Sequence, residues 1–128
     1  MRLWPLRIVK QLPRQQLLGQ HRECCALRGL GWGKKHSVVD YVFIHPFHFL
    51  YEYHCKIMEE MENRGYEVCQ DWKDMAYRGK ILGFDDSEFT EPCIIENFFI
   101  YPEHNDEYLS GCIENLKRKG IKINILTY

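Results

Sequence analysis

Residues 21–35, HRECCALRGLGWGKK, hold one carboxylate, Glu23, among Arg22, Arg28, Lys34 and Lys35, with a glycine-rich turn behind it. The chemistry such a stretch offers first is attraction of polyanions. A lone glutamate on a helix surface is otherwise a solvated side chain, so the question is what this acid does there. The surrounding charge is lopsided. Residues 1–40 carry eight basic side chains (Arg2, Arg7, Lys10, Arg14, Arg22, Arg28, Lys34, Lys35) against Glu23 and Asp40, a net of +6, whereas the other 88 residues carry nine basic against sixteen acidic. A local excess of that size makes nucleic acid the leading partner, against the plainer alternative of a basic face that complements the acidic remainder of the same molecule.

The elements that must position these residues follow from periodicity. Residues 13–28 form a helix on this reading, with Pro13 in its first turn and Gly29 as its C-terminal stop. At about 100° per residue, Leu17, Leu18, His21, Cys24 and Cys25 fall on one apolar stripe. Glu23 lies opposite, with Gly19, Ala26, Gln15 and Gln16 on its own face, and small residues there are expected to leave open space above the carboxylate. RGLGWGKKH, residues 28–36, must be a loop that lets the backbone come close to something. Its spacing fits neither a phosphate-binding P-loop nor a dinucleotide fingerprint. Trp32 within it is either a hydrophobic plug or a stacking surface for a base.

A long helix is expected from about Pro46 to Arg64, stopped by Gly65, since Phe47, Leu50, Tyr51, His54, Ile57, Met58 and Met61 recur at helical spacing. Its Glu52, Glu59, Glu60 and Glu62 read as a solvated face. His45, His48 and His54 make no i,i+4 pair with an acid or thiolate, so no metal site is expected and no cofactor is implied. The stretch DWKDMAYRG reads as a short helix, DDSEFTEP as an acidic connection, and residues from about Glu103 to Lys119 as a third helix whose terminal charges match its dipole. The tail IKINILTY alternates like a short strand or packs as an arm. The expected fold is mainly α, one compact domain over residues 1–128 with three principal helices and long connecting loops.

Six cysteines (Cys24, Cys25, Cys55, Cys69, Cys93, Cys112) without a CxxC pair read as reduced core thiols. With no apolar run near the roughly 20 residues that cross a bilayer, the expectation is a soluble, cytoplasmic monomer with no membrane partner.

QQLLGQHRE, residues 15–23, resembles the pyrimidine-dimer DNA glycosylase family, the dimer-specific endonucleases, chiefly in Gln15, Leu17, Arg22 and Glu23. The likeness continues through ENRGYEV and YPEH. It is nearest to a bacterial branch that begins MRLW and carries LPRQQLLGQHRECCALRG. The resemblance implies a DNA repair enzyme, a glycosylase with an abasic-site lyase step on damaged pyrimidines in duplex DNA. Its nucleophile would be the chain's own α-amine, here at Met1, with Glu23 stabilising the cationic sugar and moving protons. DNA contacts would fall to Arg2, Arg14, Gln15, Arg22, Trp32, Lys34 and Lys35. Elementary chemistry agrees: an α-amine has an unperturbed pKa near 8, so a useful fraction is nucleophilic at neutral pH. A carboxylate beside an oxocarbenium-like sugar is the glycosidase solution. The alternatives are a non-catalytic nucleic-acid-binding module on the same fold, and an interaction or redox protein.

Overall fold

The computed structural model describes residues 2–32, 39–85 and 100–123. Among these residues the fold is mainly helical and has no strand: α1 is Arg14–Arg28, α2 is Phe47–Asn63 and α3 is Asp106–Arg118, with 3-10 turns at Leu6–Gln11, Asp40–Ile44 and Gln70–Lys73. The helix boundaries are local chemistry. Pro13 and Pro46 take the positions just before α1 and α2, where a missing N–H costs nothing. Asn105 caps α3 by accepting from the Tyr108 N–H at 2.9 Å. Gly65 and Gly120 follow α2 and α3 with φ of +83° and +81°, the left-handed conformation glycine adopts at least cost. No helix among the described residues is long and apolar enough to cross a membrane.

α1 packs on α2, and the core runs from Leu17, Cys24 and Leu27 of α1 through Leu50, Tyr53, Ile57 and Met58 of α2 to Leu109, Cys112 and Leu116 of α3. Fully burying each such leucine or isoleucine contributes about 1.5–3 kcal/mol. The N-terminal segment closes this core, since Leu3, Trp4, Ile8, Val9 and Leu12 are all buried. Arg64, at the end of α2, holds the far end of that segment. Its guanidinium donates to the carbonyls of Leu12 (2.8 Å), Lys10 (3.1 Å) and Val9 (3.2 Å) while Nε pairs with Glu60 at 2.7 Å.

Several expectations change here. DWKDMAYRG is not a helix beyond its 3-10 turn. Gly79 (φ +98°) and Gly83 (φ +66°) turn the chain back so that Tyr77 bridges Phe84, and Arg78 N–H donates to Gly83 O at 2.7 Å. The acidic face of α2 is not merely solvated, because Glu60 pairs with Arg64 and Glu62 with Lys73 at 2.7 Å. The cysteines with described positions are free thiols; Cys24 and Cys112 are buried, but Cys69 is exposed, since it sits in the connection after α2. Cys93, DDSEFTEP from Asp86 on, and the last five residues of the tail lie outside the described residues.

Candidate active site

The first geometric fact of the site is how tightly residues 2–4 are held. Gln20 is fully buried in α1, where its Oε1 accepts the Trp4 N–H at 2.6 Å and its Nε2 donates to the Arg2 carbonyl at 3.3 Å. The Tyr53 hydroxyl of α2 donates to the Trp4 carbonyl and lies 2.9 Å from Gln20 Oε1. Tyr108 of α3 donates to the Leu3 carbonyl at 2.8 Å. Three helices therefore each give a side chain to satisfy the backbone of an otherwise irregular segment, as burial demands.

This clamp moves the inner face of α1. The buried ridge is Leu17, Gln20, Cys24 and Leu27, with Arg28 beside it, rather than a stripe centred on His21 and Cys25. Glu23 is thus not opposite the core but about 60° from Gln20, one turn further along the helix and partly buried. No described residue hydrogen-bonds or ion-pairs with its carboxylate. The space foreseen above Glu23 is narrower than the small residues imply: Ala26 is exposed, but Gly19 is buried. A residue without a side chain lets neighbouring atoms close down on the helix as readily as it leaves a gap.

Of the candidate DNA contacts, Arg22 and Gln15 are exposed, and so is Arg14, whose guanidinium sits 5.4 Å over the Tyr66 ring. Arg2 turns its Nη1 toward Cys112 Sγ at 3.8 Å, and its guanidinium lies 5.9 Å from the Trp4 ring. Trp32 is partly buried and meets Phe43 and Phe47 edge-on at 5.2 and 4.9 Å, the packing of a plug. Met1, Lys34 and Lys35 lie outside the described residues.

The basic count along the chain overstates the basic surface. Arg7 pairs with Asp106 at 2.7 Å. Arg28 is fully buried and donates to His54 Nδ1 (2.9 Å), Trp72 O (2.8 Å) and Asp74 O (2.9 Å). Its guanidinium also stacks 4.9 Å from the Trp72 ring. Sequence gave little warning of either Gln20 or Arg28, because a polar residue is assigned to the surface until its partners are known.

His21, Cys25 and His54 form a cluster whose ligand atoms lie within 4.8 Å of one another. The histidine inventory missed it by passing over His21 and Cys25, an i,i+4 pair. The Cys25 Sγ separations of 3.7 Å to His21 and 3.9 Å to His54 are near the roughly 3.6 Å edge of a tetrahedral zinc site. The protons decide against that reading. Arg28 offers only donors, so His54 Nδ1 must accept; neutral His54 then carries its proton on Nε2 and donates it to His21 Nδ1 at 2.8 Å. A metal-binding histidine turns its other nitrogen to an acceptor, not to a guanidinium. Burial holds both imidazoles below their usual pKa, with Arg28 adding to the shift of His54, and Arg22 and Arg28 to that of His21. Burial also pushes the Cys25 thiol up to about 12. The cluster is a neutral hydrogen-bond chain that ties α1 to α2.

A clamped N-terminal segment, a partly buried Glu23 carboxylate without a partner among the described residues, and exposed Arg22 and Gln15 on the same helix all lie within a recognised family region. The family model described as pyrimidine dimer DNA glycosylase matches residues 1–74. The chain belongs to this family. The matched region contains α1, α2, the clamp and Glu23, and the family places the chain among DNA repair glycosylases that act on DNA. No curated protein and no solved structure matches the chain.

Proposed function

We propose that the chain is a DNA glycosylase with an abasic-site lyase step that acts on damaged pyrimidines in duplex DNA. The observation that carries this reading is the clamp. Gln20, which with Tyr53 and Tyr108 holds residues 2–4 in place, stands one turn of α1 before Glu23. Chain length adds to it, since Met1 is the residue next to Arg2 and an extended chain advances only about 3.5 Å per residue.

In this mechanism the neutral Met1 amine attacks C1′ of the damaged nucleotide and the glycosidic bond to the base breaks. The nitrogen loses its protons as the sugar ring opens to an imine. Glu23 stabilises the cationic sugar and relays those protons to the departing base and to the ring oxygen O4′. Abstraction of a 2′ proton then expels the 3′ phosphate and breaks the strand by β-elimination. The exposed Arg22, Gln15 and Arg14 are the phosphate contacts, with Lys34 and Lys35 joining them on charge.

Borohydride trapping tests the reading. Reduction is expected to freeze a covalent protein–DNA adduct on duplexes that contain an abasic site or a pyrimidine dimer, and peptide mapping places the link at the N-terminal residue. Folded protein with a free N-terminus that gives no adduct on either duplex rejects it.

A further inference from the structure

The chain from Tyr77 to Phe84 folds back on itself, and its tip presents apolar side chains to solvent. Ile81 is 80% exposed, Leu82 47% and Phe84 59%. Leu30, just after α1, is 53% exposed and lines one depression of about 340 Å³ together with Ile81. Single apolar residues on a surface are ordinary, whereas a group of them marks a place where something binds.

The turn is stiff. Arg78 N–H donates to Gly83 O at 2.7 Å, Gly83 N–H to Gly79 O at 2.8 Å and Asp85 N–H to Ala76 O at 2.8 Å. Beneath the tip the Phe84 ring meets Tyr77 at 5.1 Å, and Tyr77 meets Trp72 at 4.7 Å. The buried Arg78 guanidinium anchors the stem by stacking 4.0 Å over the Phe47 ring. A Cβ on Gly29 would stand 2.7 Å from the Arg78 carbonyl, so the glycine lets the stem seat directly against the end of α1. Arg28 holds the carbonyls of Trp72, Asp74 and Tyr77, which fixes the chain that leads into the turn. The tip is therefore ordered before any partner arrives, and little further entropy is lost on binding.

Its position ties it to the proposed site. Ala26 lines the same depression as Ile81 and lies one turn of α1 beyond Glu23, about 4.5 Å along the axis. Lys80 beside the tip and Arg22 on α1 are both exposed, and the lining of the depression holds no carboxylate. Asp85, at the foot of the turn, is the one acid of residues 75–85. The apolar patch amounts to a few hundred Å², short of the roughly 800 Å² per partner that a stable protein interface buries. A small, stiff, apolar projection beside exposed cations suits nucleic acid, whose base faces are apolar and whose backbone is anionic.

We propose that Ile81, supported by Leu82, is a wedge that enters the base stack at the lesion and fills the gap left when a nucleotide of the damaged pair leaves the stack. Unstacking is costly, and an apolar side chain in the vacated space offsets part of that cost. The inference rests on the reading that the chain acts on damaged duplex DNA, and it adds a contact from residues beyond the matched 1–74.

The test is fluorescence anisotropy with a duplex that contains a tetrahydrofuran site, a stable abasic analogue that requires no base release. The same duplex without the site and the tetrahydrofuran strand alone are the comparisons, since neither offers a gap in a duplex stack. Ile81→Ala removes the apolar bulk of the tip. It is expected to weaken binding of the tetrahydrofuran duplex about tenfold and to leave the other two affinities within about twofold. The slope of log affinity against log salt should not change, because no phosphate contact is lost. Leu82→Ala should act in the same direction by less, and Ile81→Met, which keeps apolar bulk, should bind as the unaltered protein does. Equal losses on all the oligonucleotides, a shallower salt slope, or no loss in either alanine variant overturn the inference. A melting temperature lowered by Ile81→Ala assigns the side chain to the chain's own packing and overturns it too. Sedimentation without DNA adds a second arm: a dimer that Ile81→Ala dissociates, with tetrahydrofuran binding untouched, makes the patch a contact between copies and the wedge falls. Trapping keeps the two readings apart. Trapped adduct with unaltered variant binding sinks this inference alone; a selective loss in the variants with no adduct sinks only the glycosylase and lyase reading.

Discussion

The two flanks of α1 use similar residues to opposite ends. On one, His21, Cys25 and Arg28 meet His54 and the carbonyls after α2, and a chain of hydrogen bonds runs between them. On the other, Arg22 is exposed and Glu23 and Ala26 face outward without a described partner for the carboxylate. An arginine counts toward a binding surface only when its donors are unspent, and Arg28 spends its Nη donors on the fold. The closed flank spends its polar groups on the fold; the open one leaves Arg22 exposed, and it is there that the proposed chemistry would take place.

The sharpest way to break this contrast is Glu23→Gln. Cleavage and trapping should fall by about 10²–10⁴-fold, with duplex affinity and melting temperature unchanged. Equal losses of stability would show Glu23 to be part of the packing. Next, Arg28→Met should cost about 3 kcal/mol in urea denaturation, because three carbonyls and His54 Nδ1 lose one donor group. An unchanged midpoint would mean that the closed flank is not structural. Gln20→Leu comes third. It should cost about 2 kcal/mol by stranding the Trp4 N–H, and it should slow trapping while leaving duplex binding intact.

The smallest effect is linked to protons. Burial pulls His104 down to about 4 from 6.5, against an opposing pull from Glu103, and His21 and His54 shift the same way. The unfolded chain takes up these protons near pH 6.5 and the folded one does not. Stability is therefore full above that pH and is lost as pH falls toward 4. His104 alone accounts for about 1 kcal/mol between pH 6.5 and 5.5. His104→Phe should flatten that part of the stability profile. A profile as steep as that of the unaltered protein would assign the dependence to other groups.

Much of the fold was legible because it is local. The 3.6-residue period of Phe47 through Met61 and the glycine stop at Gly65 place α2 within a residue or two of its observed span. Pro13 and Gly29 do the same for α1. The third helix starts three residues later than its acidic run implied, because Asn105 is the cap. The candidate site was legible only in part. Glu23, Arg22 and the glycine loop stand out by type and spacing, whereas Gln20, Arg28 and Arg78 carry no periodic signal. Their roles depend on carbonyls and rings supplied by distant segments.

The sequence by itself determined where the helices run, that the first 40 residues are cationic, and that the chain shares a family's pattern over residues 1–74. Only the tertiary structure decided which side of α1 faces inward. Leu17, Leu18, Cys24 and Cys25 bias that choice weakly, and the hydrogen bonds of Gln20 to residues 2–4 and of Arg28 to residues 72–77 fix it. Helical periodicity is written in nearest neighbours along the chain. The burial of a polar side chain is settled by partners that only folding brings within 3 Å or so.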